Sequence, residues 1–298
     1  MIDLDHPPQP LEHGRVALLS DVHANLPALE VVLADLGEHD VDAFIYAGDL
    51  MGGPYPAETI QRLRSLDSFM IRGNSDENVV NYADKTDRAE CRESGQWSLR
   101  RWATSQLDED CLNFLRELPE QLVIRFPNAD PLRVVHGSPR RLREGIFPDA
   151  TPGLLDEILH GVHERVLVCG HTHLQWQRQY RSILLVNPGA VSSPNDGFIG
   201  AHYGMLLWDG DRWSASLHRV AYPFNDLIAA YRCRGLLEHG GSMARAQLNA
   251  ILTGKNGVDA FLLHARRCAD EAGHSDLRVI PDDVWQHAAE TFPWCEIV

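Results

Sequence analysis

Short apolar runs in this chain stop repeatedly beside Asp, Asn, His and Gly, and this punctuation constrains the fold more than any other feature. Arg15–Ser20 (RVALLS) reads as a buried strand and is followed by Asp21-Val22-His23. Asp42–Ala47 (DAFIYA) is a second strand ending at Gly48-Asp49, and Phe69–Arg72 a third ending at Gly73-Asn74-Ser75-Asp76. Helical patterns separate them. Asn25 caps an amphipathic run with Pro27 in its first turn and Leu29, Val32, Leu33 and Leu36 behind it, and Pro56–Leu66 forms the next helix. Strand, loop and helix in this rhythm describe a layered α/β sheet. Ligands gather at the carboxyl ends of such strands, where a rigid scaffold holds the loops.

Beyond the third strand, Glu77–Leu118 reads as a charge-rich, mostly helical insertion, with Trp97, Leu99, Trp102, Leu112, Phe114, Leu115 and Leu118 on its apolar faces and Pro119 ending it. Strands resume at Leu122–Phe126, Leu132–His136, Arg165–Cys169, Ile183–Val186, His202–Trp208 and Arg212–Val220, the last two joined by the turn Asp209-Gly210-Asp211. A helix around Gly153–His160 interrupts them. From Phe224 onward the pattern is helical with Gly and Pro breaks. The expected division is a lead-in over 1–14, a core domain over 15–222 carrying the insertion at about 77–118, and a helical extension over 223–298. The extension reads either as a cap or dimerisation element or as packing that covers a sheet edge.

Charge narrows the partners. Lys and Arg total 27 against 42 Asp and Glu, a net charge of −15, so a nucleic-acid polymer or an anionic membrane is not an expected partner. Carboxylates that converge would instead make a cation site. Six cysteines, at 91, 111, 169, 233, 268 and 295, show no CxxC and read as free thiols of a reducing compartment. The N-terminal residues lack a basic start and an apolar run, and no apolar segment approaches the roughly 20 residues of a membrane helix. The expectation is a cytoplasmic protein, with self-association left open.

The strand-end residues suit one another chemically. Asp21 and His23 are two apart, as are His171 and His173 in Gly170-His171-Thr172-His173, and in an extended segment such pairs face one way. With Asp49, Asn74 and His136 of His136-Gly137 they make seven candidate ligands. Imidazole with carboxylate and amide oxygen favours Mn, Fe, Zn, Ni or Co over calcium. Seven donors exceed one tetrahedral ion but suit two ions about 3.5–4 Å apart sharing a carboxylate.

In the order DxH, GD, GNxD, HG, GHxH, these motifs resemble the calcineurin-like metallophosphoesterase superfamily over about residues 15–220. The segments VVHGSPR (Val134–Arg140) and VNPGAVSSP (Val186–Pro194) resemble its bacterial phosphodiesterase-like branch. The resemblance implies a four-layer αββα sandwich of two mixed sheets flanked by helices, with the helical C-terminal extension added. It implies two divalent ions, Mn or Fe first and Ni, Co or Zn as alternatives. Asp21, His23, Asp49 and His173 would hold one ion, and Asp49, Asn74, His136 and His171 the other, with Asp49 bridging. The implied reaction is phosphoester hydrolysis by a metal-bridging hydroxide, with Asp49, Asn74 and His136 central to catalysis and Asp76 standing behind the ligands.

Many members of this family carry His after the GN pair, where this chain has Ser75. Serine cannot replace imidazole as an acid near neutral pH, which shifts the expectation toward a diesterase acting on a small, nucleotide-like phosphoester. A phosphomonoesterase or protein phosphatase is the alternative enzyme, and a silent metal-binding scaffold the alternative of another kind. Asn74, Ser75 and His136 are candidate substrate contacts, and Arg140 a candidate bidentate phosphate clamp.

Overall fold

Alternation sets the layers. In β1 (Arg15–Leu19), Val16 and Leu18 face one way and Ala17 and Leu19 the other, all four fully buried. The computed structural model describes residues 9–87, 92–274 and 279–296. Cys91 and part of the expected insertion, at 88–91, lie outside these residues, as does the start of the lead-in.

β1 pairs in parallel with β2 (Ala43–Tyr46), and β2 with β3 (Ser68–Met70). On the other side of β1 runs antiparallel β9 (Ala201–Trp208), followed by β10 (Trp213–Val220), giving the order β10-β9-β1-β2-β3. The second sheet contains β4 (Gln121–Ile124), β5 (Leu132–Val135), β6 (Val166–Val168), β7 (Gln175–Tyr180) and β8 (Ile183–Pro188) in the order β4-β5-β6-β8-β7. Parallel pairing runs through β5, β6 and β8, and both edges are antiparallel.

The sheets meet through Val16, Leu18 and Ile45 of the first and Ile124, Val134, Val166 and Val186 of the second. Outside the first sheet, Ala17, Leu19 and Tyr46 pack on Leu29, Val32 and Leu36 of α1 (Leu26–Leu36), on Ile60 and Leu63 of α2 (Pro56–Arg64), and on Val79 of α3 (Asn74–Ala83). Outside the second, Val135, Leu167 and Leu185 pack on Leu155 and Ile158 of α6 (Pro152–Ile158). Four αββα layers result. Asn25 caps α1 by accepting from the Ala28 N–H at 3.2 Å.

The insertion folds as α3, a 3₁₀ turn (Gly95–Trp97), α4 (Ser98–Ser105) and α5 (Glu109–Glu117). Its first helix begins at Asn74, inside the GNSD motif, rather than at Glu77. Asp76 explains the earlier start, because its carboxylate reaches back to the Gly73 N–H at 2.8 Å and caps the helix. The C-terminal helices are α7 (Asn225–Cys233), α8 (Leu236–His239), α9 (Gly241–Thr253), α10 (Gly257–Glu271) and α11 (Asp282–Thr291). Phe261 and Ala265 of α10, Val284 and Trp285 of α11, and Ala246 of α9 share a small core of their own. Leu248 and Ile251 of α9 join the same large core as α1 and the first sheet, so the extension is docked on the domain.

Strand β7 escapes the sequence reading. Its residues QWQRQY are polar except Trp176, which is buried while Gln177 and Gln179 face out on a sheet edge. The five described cysteines, Cys111, Cys169, Cys233, Cys268 and Cys295, are free thiols. No helix among the described residues is long and apolar enough to cross a membrane.

Candidate metal centre

All five motifs meet at the carboxyl ends of β1, β2, β3, β5 and β6. The expected strand alternation is not what brings the pairs together. β1 ends at Leu19 and β6 at Val168, and beyond them Asp21, His23, His171 and His173 adopt φ of 55°, 45°, 69° and 58°. Asp49 has φ 54°. Left-handed backbone at a non-glycine residue costs roughly 1–3 kcal/mol and persists where its surroundings hold it. Here two loops zip together, the Asp21 N–H donating to the Gly48 carbonyl at 3.0 Å and the His23 N–H to the Asp49 carbonyl at 2.9 Å. Gly73 matters through close approach: a Cβ there would lie 2.1 Å from Asp49 Oδ1, so no other residue fits beside that carboxylate.

Asp21 lies at the centre. Its Oδ2 accepts from the Ser20 hydroxyl at 2.7 Å and the His171 N–H at 3.1 Å. Its Oδ1 is buried and makes no hydrogen bond, with His173 Nε2 at 3.3 Å and His23 Nε2 at 4.0 Å. Asp49 faces two ways: Oδ2 lies 3.7 Å from His23 Nε2 and Oδ1 lies 3.4 Å from His136 Nε2. Asn74 Oδ1 is 3.2 Å from His136 Nε2, and the His171 ring meets the His136 ring edge-on at 5.1 Å. Ligand atoms of Asp21, His23 and His173 lie within 4.8 Å of one another, as do those of Asp21, Asp49 and His136.

The imidazoles are set to act as ligands. His23 Nδ1 lies 3.0 Å from the Met51 carbonyl, His136 Nδ1 2.8 Å from that of Ala47, and His173 Nδ1 2.8 Å from that of Ser193. A carbonyl only accepts, so each Nδ1 donates a proton outward and each Nε2 is the nitrogen turned toward the nest, where it can serve a cation. An orphaned carboxylate oxygen among three such nitrogens fits a cation that shares them. Burial works against charge on Asp21, but His173, His136 and His23 overcome it and hold its carboxyl well below the usual range. Asp49 is lowered against the same burial by His136 and His23. Burial pushes His23 and His171 down, whereas Asp21 outweighs burial at His173 and raises it to about 9.

Asp76 stands behind the ligands. Fully buried, it accepts from the Leu50, Met51 and Gly73 N–H groups at 2.9, 3.0 and 2.8 Å. Burial and the neighbouring Asp49 push its carboxyl up to about 7 against those three bonds. Ser75 donates to Asp49 rather than standing free. Arg140 is not brought to the site: it pairs with both oxygens of Glu144 and with Glu157 Oε2, and it is absent from the cavity walls. Arg143, from the same basic turn, does line the cavity, held by Glu77 and Asn78.

A cavity of about 620 Å³ opens above the ligands. His23, Asp49, Asn74, His171 and His173 lie at its base. Trp97 and Leu99 of the insertion form one wall, and Met243, Gln247, Val258 and Leu262 of α9 and α10 another. The contribution of α9 and α10 matches the cap reading of the extension rather than that of plain edge packing. No motif marks them, and only the fold carries them to the site.

A nest of Asp, His and Asn at the strand ends of an αββα sandwich defines a metallophosphoesterase. The calcineurin-like phosphoesterase superfamily domain matches residues 15–209, and the chain belongs to that family of metal-dependent phosphoester hydrolases. Phosphodiesterase YfcE of Escherichia coli is 28% identical over 204 residues, 64% of this chain and 86% of its own. An uncharacterized protein of Methanocaldococcus jannaschii is 27% identical over 236 residues, 72% of this chain and 90% of its own. The crystal structure of a metallophosphoesterase from Sphaerobacter thermophilus superposes with a TM-score of 0.65 at 28% identity, covering 80% of this chain and 98% of that one.

Proposed function

We propose that the chain is a dinuclear phosphodiesterase acting on a small phosphoester. The observation that carries this reading is the placement of Asp49, one oxygen turned to His23 and the other to His136. A carboxylate so placed can serve two cations, one held with Asp21, His23 and His173, the other with Asn74, His136 and His171. Nitrogen and oxygen donors without thiolate suit Mn or Fe, with Ni, Co or Zn as alternatives. When bound, two such ions activate water and neutralise phosphoryl charge.

The protein's own groups do the rest. Nδ1–carbonyl bonds lock the imidazoles, so their orientation needs no adjustment when substrate arrives. Asn74 sits at the cavity base where a phosphoryl oxygen would lie, with His136 buried behind it, and the Asn74 amide offers that oxygen a hydrogen bond. Asp76 holds the loop that delivers Asp49. With Ser75 after Asn74 and bound to Asp49, that position offers no imidazole to protonate a poor leaving group, which favours diesters with good ones.

The test is hydrolysis of 4-nitrophenyl phosphate and bis(4-nitrophenyl) phosphate by Mn-loaded protein. The diester should have the higher kcat/KM. His171→Ala should lose at least about a hundredfold in rate while keeping its far-UV spectrum and melting temperature, since even supporting residues of metal sites cost 10–100-fold. Failure of the wild type to hydrolyse either ester with Mn, Fe or Ni would favour a metal-binding scaffold.

A further inference from the structure

The helical extension lies outside the family-matched residues 15–209, yet it forms one wall of the cavity over the metal ligands. Gln247 is a polar residue of that wall. It is 94% buried, from a residual exposure of 6%. Its Oε1 accepts from the Tyr231 hydroxyl at 2.9 Å. Its Nε2 donates to no described residue and lies on the cavity. A Cβ built on Gly52 would lie 3.1 Å from that nitrogen and 3.0 Å from His23 Nδ1, so the amide overlooks the His23 side of the nest. A donor at a cavity wall with no protein partner is available to a bound ligand.

Gln247 shares the cavity lining with apolar groups, Trp97 and Leu99 from the insertion and Met243, Val258 and Leu262 from α9 and α10. The cations on the walls are matched by carboxylates: Arg143 pairs with Glu77 at 2.6 Å, and Arg100 lies 3.9 Å from Asp87. Asp259 adds a negative charge to the rim. A second phosphate would meet that carboxylate and no uncompensated arginine, whereas an apolar ring would bury its surface against five side chains.

We infer that Gln247 binds a phosphoryl oxygen of the substrate through its Nε2 hydrogens, and that the slot between the insertion and α9–α10 takes an uncharged, apolar ester group. This deepens the phosphodiesterase reading and rests on it. The extension is then a specificity element as well as packing.

The test uses two inert probes, phenylphosphonate and methylphosphonate, titrated calorimetrically into the Mn-loaded full chain, so it requires no turnover. Phenylphosphonate should bind at least about tenfold more tightly. Leu262→Asp should abolish that preference with bound Mn unchanged. Gln247→Leu should weaken both probes about tenfold, the loss of one hydrogen bond to an anion, and should raise KM for bis(4-nitrophenyl) phosphate more than it lowers kcat. Gln247→Glu keeps an acceptor for Tyr231 and removes the donor, so it serves if the leucine variant does not fold, with the same expectation. Equal affinity for the two phosphonates, absence of binding by either, or wild-type affinity in both Gln247 variants would overturn the inference. The phosphodiesterase reading falls separately, on lack of ester hydrolysis by the wild type.

Discussion

Ser75 donates twice to Asp49, through its backbone N–H to Oδ1 at 2.7 Å and its hydroxyl to Oδ2 at 2.9 Å. The side chain that stands where many relatives carry histidine is therefore committed to orienting the carboxylate between the two ligand groups. Ser75→Ala should lower Mn affinity about tenfold, as expected for a hydrogen bond behind a ligand, and titration calorimetry would read it. Ser75→His should change the ratio of monoester to diester hydrolysis. An unchanged ratio would mean that this position does not set substrate choice.

Asp76 answers three backbone N–H groups from two loops. Asp76→Asn keeps one accepting oxygen but turns an NH₂ toward donors. The expected cost is about 2 kcal/mol of stability, the scale of a buried donor left unpaired, measurable by guanidinium unfolding of metal-free protein. A loss below 0.5 kcal/mol, roughly the scale of a neutral surface change, would mean the loop does not depend on it.

His202 gives the fold an acid-sensitive point. It is fully buried, stacks on Phe198, and neither ring nitrogen makes a hydrogen bond. Burial, only partly offset by Asp196, lowers it to about 4. Between pH 6.5 and about 4 the unfolded chain therefore takes up a proton that the folded one refuses. Its contribution to stability is present above 6.5 and is lost as pH falls toward 4. His202→Leu should lose less stability than the wild type between pH 7 and pH 5 in paired guanidinium melts. Identical losses would show that His202 is not responsible.

Much of this was legible because period-2 and period-3.6 patterns mark elements whose burial is one-sided, and because ligand-type residues cluster at strand ends. The strand DAFIYA and the helix capped by Asn25 announce themselves in this way. β7 did not, since an edge strand buries a single Trp176 and can be polar elsewhere. Convergence of Asp21 with His23 was expected from strand alternation but comes from left-handed loops, a geometry with no period in sequence. Arg140 and Arg143 are indistinguishable in sequence, and only the positions of Glu144 and Glu77 decide which one reaches the cavity. Gln247 lies more than 70 residues beyond the last ligand and carries no motif.

The claim that Asp49 serves two cations at once is tested most directly by counting Mn bound per chain, by calorimetric titration of wild type and Asp49→Asn. The account predicts two equivalents for the wild type, with bis(4-nitrophenyl) phosphate hydrolysis rising only as the second site fills, and at most one tight equivalent with hydrolysis lost in the variant. One equivalent in the wild type, or two tight equivalents and undiminished hydrolysis in Asp49→Asn, would contradict it.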